Sequence, residues 1–145
     1  MSDTGSRQQL QVGLKLSRTV TVTDDMTPAH LRHEPIRVLS TPDMIRLVEQ
    51  TAIAAVQPCL AEGQATVGTR VDIAHLAATP VGMTVTITVE VTEVDRRRLA
   101  FRVEVRDELD EAGKGTHERF IVEASQRMPR LQDKMNRWKA AGGRA

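Results

Sequence analysis

Residues 40–58 read STPDMIRLVEQTAIAAVQP, and the way this segment starts, turns and stops decides the fold. Ser40-Thr41-Pro42-Asp43 opens a helix: a hydroxyl at the N-cap, a proline where no amide hydrogen is needed, and a carboxylate in the first turn. Pro58 stops it, so the helix runs to about Gln57. On it Arg46, Gln50 and Gln57 share one narrow face, while Met44, Leu47, Val48, Thr51, Ala52 and Ala55 cover a much wider one. A helix with so much apolar circumference needs burial on most sides, and the rest of the chain must supply the cover.

The cover is strand. Downstream lie four alternating segments, Ala65 to His75, Met83 to Val94, Leu99 to Val105 and Gly115 to Ala124, separated by turn-rich stretches. In the second, Met83, Val85, Ile87, Val89 and Val91 oppose Thr84, Thr86, Thr88, Glu90 and Thr92, the pattern of a half-buried strand. Upstream, Leu10, Val12 and Leu14, then Val20 and Val22, suggest a strand interrupted near Ser17 and Arg18. A proline-bearing connection, Thr27 to Leu39, leads from it into the helix. Strands joined by short connections pair antiparallel, because parallel pairs need long crossovers. The expected class is therefore α+β: an antiparallel sheet wrapped around one long central helix, the hotdog arrangement. Its exposed edges and small size point to a homodimer.

Composition narrows the partners. Among 145 residues only Phe101, Phe120 and Trp138 are aromatic, and Lys+Arg 20 nearly balances Asp+Glu 19. Few stacking platforms and no overall basic field disfavour a nucleic-acid partner. Cys59 stands alone, which excludes an intrachain disulfide and a multi-cysteine zinc site. The N-terminus MSDTGSRQQ has no apolar core like that of a signal peptide, and no later apolar run approaches the ~20 residues that span a bilayer, so no membrane contact and a cytoplasmic location are expected. The chain divides into a flexible N-terminus, 1–8, one domain, 9–126, and a basic C-terminal segment, 127–145. That last segment holds Arg127, Arg130, Lys134, Arg137, Lys139 and Arg144 against only Asp133, and reads as a partly frayed helix.

Five residues stand out chemically. Glu49 has Ile45 and Ile53 as its helical neighbours and Val56 seven residues on, so it borders the buried arc. A carboxylate there needs a partner for its charge, the setting in which a general base is tuned. The plain alternative is a side chain reaching past the helix edge into water. His75 ends a strand with Val67, Val71 and Ile73 on its face, placed either for proton transfer or as a satisfied structural histidine. Thr41 carries a hydroxyl that could be a nucleophile or simply the helix cap. Gly68 interrupts a strand and allows close approach of backbone to a ligand or another chain, or marks a bulge. Arg119, in Gly115-Thr116-His117-Glu118-Arg119, could pair with Glu118 or a neighbouring strand. His117 shows no clear partner, and Asp72, His75 and His117 match no zinc-ligand spacing, so no metal is expected.

At these residues the sequence resembles the fluoroacetyl-CoA thioesterase family of hotdog enzymes. The resemblance runs from about Thr41 to Val122. It rests on Thr41 with Glu49 eight residues on, Gly68-Thr69 followed by His75-Leu76-Ala77-Ala78-Thr79-Pro80, Arg97-Arg98-Leu99, and Gly115-Thr116-His117-Glu118-Arg119. It implies hydrolysis of a short-chain acyl-CoA to the free acid and CoA, with no cofactor beyond the CoA of the substrate. Thr41, Glu49 and His75 would form the catalytic set, the amide at Gly68 would contact the thioester oxygen, and Arg119 would serve the binding site. The Arg96-Arg97-Arg98 turn or the basic C-terminal segment could supply cations for the CoA phosphates. One departure stands out: the fluoroacetyl-specific enzyme carries a phenylalanine-bearing lid before the helix, whereas Leu31 to Leu39 contains no aromatic here. Two other readings remain, a non-catalytic acyl-CoA-binding dimer and a hotdog hydratase or dehydratase, the latter weakened by the lack of an Asp and His pairing in an Asn-Pro context.

Overall fold

β1 (Lys15–Thr21), α1 (Thr41–Val56), β2 (Gln64–His75), β3 (Thr84–Asp95), β4 (Arg98–Asp107), β5 (Glu111–Glu123) and α2 (Ala124–Ala140) follow one another in a computed structural model that describes residues 8–144. The expected flexible N-terminus lies almost wholly outside the described residues. The five strands form one antiparallel sheet in the order β1-β3-β4-β5-β2, with α1 packed on it, which is the hotdog fold.

Why α1 is central follows from its faces. Met44, Leu47, Val48, Thr51, Ala52, Ala55 and Val56 are buried, matching the wide arc legible in the sequence. They meet the inward rows Val85, Ile87, Val89 and Val91 of β3 and Leu99, Phe101, Val103 and Val105 of β4 in one continuous core. The one hydroxyl in that arc, Thr51, is satisfied by donating to Leu47 O at 2.8 Å. The helix start is held by Ser40, whose Oγ accepts from the Asp43 amide at 3.1 Å. That hydroxyl in turn holds the Asp43 carboxyl below its ordinary pKa.

Three boundaries differ from the sequence expectation. β1 is uninterrupted at Ser17 and Arg18, and Leu10 and Val12 precede it. Its outer row is polar because it pairs with the polar row of β3: Ser17 Oγ meets Thr88 Oγ1 at 2.7 Å and Thr19 Oγ1 meets Thr86 Oγ1 at 2.9 Å. β5 starts at Glu111, before the expected Gly115, because Gly113 hides the alternation while fitting the space. A Cβ at Gly113 would stand 2.8 Å from Met44 Sδ. The basic segment is a helix, but α2 begins at Ala124 directly after β5, three residues before Arg127, and is exposed along its length.

Removing the α1 cap should weaken the fold without moving the site. Ser40→Ala is expected to cost about 1 kcal/mol, read as a lower urea midpoint with an unchanged m-value.

Candidate active site

The N-cap of α1 is Ser40, not Thr41, so capping does not consume the Thr41 hydroxyl. Thr41 is the first helical residue, and its Oγ1 lies 2.7 Å from Nδ1 of His75, the last residue of β2. The far side of the imidazole is open chemically: His75 Nε2 is buried and has no partner among the described residues. The pair borders a cleft of about 410 Å³ with apolar walls from Leu31, Val38, Leu76 and Ala77. A hydroxyl hydrogen-bonded to an imidazole is the arrangement that turns a weak oxygen nucleophile into a usable one.

A second cluster is built on Arg119, which is only 3% exposed. Its Nε donates to Thr66 Oγ1 at 2.8 Å, Nη2 to Thr66 O at 3.0 Å, and Nη1 to Glu49 Oε2 at 3.2 Å. Nη1 also lies 3.1 Å from His117 Nε2. The alternative of an ion pair with Glu118 or a neighbouring strand is not what is seen: Arg119 pairs with Glu49 on the central helix, and Glu118 pairs with Arg98. Glu49, with its side chain 39% exposed, borders the buried arc and is neither fully buried nor lost to water. Burial pulls the Arg119 guanidinium below its ordinary pKa, and Glu49 opposes that shift.

His117, for which the sequence suggested no partner, has two. Its Nδ1 lies 2.8 Å from Arg70 O. A carbonyl only accepts, so Nδ1 carries the proton and Nε2 receives the Arg119 hydrogen bond. The ring is fully buried and stacks on Phe101 at 5.9 Å. Burial pushes its pKa down; the Arg70 carbonyl opposes this, and the Arg119 charge adds to it. Strand periodicity could have revealed the contact, since residues 117 and 119 share a face of β5. Thr66 carried no comparable signal.

Gly68 sits where β2 bulges: it pairs with Arg119, Arg70 pairs with Glu118, and Thr69 is the extra residue. The bulge shifts the alternation, so Thr66 and Gly68, rather than Val67, share the inner face with Val71, Ile73 and His75. A Cβ on Gly68 would stand 2.2 Å from Glu49 Oε2, so the glycine makes room for the carboxylate. Within one chain, Thr41 with His75 and Glu49 with Gly68 and Arg119 form separate clusters. Glu49 lies eight positions on from Thr41, about 12 Å along the axis of α1. Among the described residues no three His, Cys, Asp or Glu stand close enough to hold a metal.

An antiparallel sheet around one long helix places the chain in the class of hotdog thioesterases, whose solved members share this fold. The family model for the fluoroacetyl-CoA-specific thioesterase matches residues 22–125, and the chain belongs to this family. The fluoroacetyl-CoA thioesterase of Streptantibioticus cattleyicolor is 36% identical over 119 residues, covering 78% of this chain and 86% of that one. A mutant of the fluoroacetyl-CoA-specific thioesterase solved with fluoroacetate and CoA is similar at 36% identity and TM-score 0.75, over 81% of this chain and 98% of that one. A Thermus thermophilus member of the thioesterase superfamily matches at 27% identity and TM-score 0.80, over 90% and 96% of the two chains.

The buried neutral His117 has a measurable signature. Below about pH 6.5 the unfolded chain takes up a proton that the folded chain refuses, so this residue's contribution to stability is lost as pH falls. The charges facing it are Arg119 on β5 and Glu49 on α1, with Glu118 adjacent. His117→Gln should melt lower at pH 8, yet lose less between pH 6.5 and 5 than the unsubstituted protein, in thermal melts across that range.

Proposed function

We propose that the chain hydrolyses a short-chain acyl-CoA at a site completed by a second copy of itself. The observation that carries this reading is the 2.7 Å contact between Thr41 Oγ1 and His75 Nδ1, made by a threonine that the helix cap does not need. Thr41 Oγ1 attacks the thioester carbonyl and His75 takes its proton. The amide at Gly68 stabilises the oxyanion, and the CoA thiolate leaves. Water then cleaves the acyl-threonine ester, releasing the acid and restoring the hydroxyl. That chemistry leaves His75 Nε2 wanting a carboxylate, and Glu49 of the same chain is too far away to serve.

A twofold axis offers one. β2 is an edge of the sheet, and Val71 on its inner face and Ile53 on α1 are each 38% exposed. Two β2 strands paired antiparallel near Asp72 bring Val71 opposite Ile73 of the partner subunit. Counting across the bulge at Thr69, Gly68 then falls opposite His75 of the partner subunit, both on inner faces. Gly68 has no side chain to block the approach, and Glu49 Oε2 already lies against it. The catalytic set is then Thr41 and His75 from one subunit and Glu49, held by Arg119, from the other. A homodimer of this kind covers the free edge as well.

Glu49→Gln should lower kcat by roughly 10²-fold or more with KM little changed. His75→Ala should cost as much, and the double variant little more, because residues acting as a unit are not additive. Mixing the two inactive variants should restore about a quarter of wild-type activity, since random exchange between twofold dimers makes half of them hybrids with one intact site. A mixture no more active than its parts would sink the shared site. Near-normal turnover by Glu49→Gln would remove Glu49 from the catalytic set, and acyl-CoA binding without any turnover by the unsubstituted protein would favour the binding-only reading instead.

The acyl pocket suggests its own selectivity. Its wall from the 31–39 connection is Leu31, Val38 and Leu39, with no phenylalanine to close over a fluorinated carbon. The ratio of kcat/KM for fluoroacetyl-CoA over acetyl-CoA should therefore be close to one, and a large preference for the fluorinated substrate would show the pocket is closed by another means.

A further inference from the structure

Two basic stretches that are 30 residues apart in sequence, the turn at Arg97 and the start of the C-terminal segment at Arg127, meet in the fold. They frame a cleft of about 370 Å³ at the end of β5, with Arg97 on one side and Arg127 and Arg130, one helical turn apart, on the other. Phe120 forms part of its wall and is 41% exposed, in a chain with only three aromatic residues. The charges are not used up internally. Arg127 and Arg130 make no ion pair among the described residues, and Arg97 reaches only Glu123, at 3.4 Å. Glu123 is itself shared, accepting from Gln64 Nε2 at 2.6 Å. Three guanidinium groups thus face one carboxylate beside an exposed ring. Next to Arg97, Arg96 adopts φ 59°, a left-handed conformation that a side chain other than glycine rarely takes, so the hairpin tip presents arginine where backbone ease would favour glycine.

Phosphate oxygens suit guanidinium forks, and a purine ring suits an aromatic face flanked by arginine. The cleft's position suits one ligand that has both. Phe120 follows Arg119, the residue that holds Glu49, and Glu123 lies four residues beyond Arg119 along the strand, about 13 Å at the usual rise of ~3.3 Å per residue. A flexible arm is needed to join the cleft to the reacting centre on the inner face of the sheet. Resting on the thioesterase reading above, we infer that the cleft between Phe120, Arg97, Arg127 and Arg130 binds the 3′-phosphorylated adenosine diphosphate end of CoA. The base lies against Phe120, the arginines take the phosphates, and the pantetheine arm carries the thioester round the sheet to Thr41 and Glu49.

The test compares acyl-CoA with the same acyl group on pantetheine, which has no nucleotide, using Arg127→Glu/Arg130→Glu and, separately, Phe120→Ala. These side chains are on the surface, so folding is spared. The double charge reversal should raise KM for acyl-CoA by at least ~10-fold with kcat little changed, as lost ground-state binding requires. Phe120→Ala should raise it less. Neither should alter the kinetics of acyl-pantetheine. In calorimetry, adenosine 3′,5′-bisphosphate should bind the unsubstituted protein, weaken with added salt, and bind the charge-reversed variant at least ~10-fold less tightly. A KM for acyl-CoA within twofold of wild type, or an equal rise with acyl-pantetheine, would overturn the cleft while leaving the hydrolase reading intact. If the unsubstituted protein cleaves neither thioester, it is the hydrolase reading that falls, and calorimetry still decides the cleft.

Discussion

A positive charge almost sealed from water has to be matched by everything around it. Arg119 is that charge, and its environment ties three elements together: both polar groups of Thr66 on β2, His117 on its own strand, and Glu49 on the central helix. Removing a partner leaves the buried guanidinium less compensated, at a cost that the 39% exposure of Glu49 holds below the ~3–5 kcal/mol of a fully buried pair. The surroundings are therefore constrained in concert. Gly68 must lack a side chain for the carboxylate to reach the guanidinium, and His117 must stay neutral to accept a hydrogen bond from it. What look like separate oddities in the sequence are parts of one arrangement.

That connection explains which parts of the molecule could be read in advance. α1 was legible because seven buried residues on one arc leave a periodic trace, and β3 because its alternation is unbroken from Thr84 to Val91. β5 was legible only from its midpoint, since Gly113 carries no hydropathy signal although it fits against Met44. Of the site, the positions of Glu49, His75 and Arg119 were marked by their surroundings, but their partners were not. The Glu49–Arg119 pair spans 70 residues of sequence and the Thr41–His75 contact spans 34, and no local pattern encodes such distances. The identity of the helix cap was a near miss of one position: Ser40 and Thr41 are chemically alike, and only the backbone decides which of them is free for chemistry.

The geometry also gives α1 a second task besides filling the core. It is a rigid ruler with Thr41 at its first turn and Glu49 two turns on. Partial positive charge gathers at a helix N-terminus, which under the mechanism proposed above would suit an oxyanion developing beside Thr41. Within one chain the carboxylate is kept out of that field and beside a cation of its own. One helix thus presents two electrostatic environments of opposite need, and its stiffness keeps them from neutralising one another.

The extra residue at Thr69 has an evolutionary side. Because of it, Gly68 and His75 face the same side of the sheet although an odd number of positions separates them. Seven positions of plain alternation would turn one of the two outward, whereas losing one residue together with the bulge leaves six, an even number, and keeps both inward. Bulge and length are therefore tied in this lineage: a substitution that flattens the bulge without a deletion would turn one of the two outward, and so would a gap that leaves the bulge in place, while the two changes together would keep the facing of both.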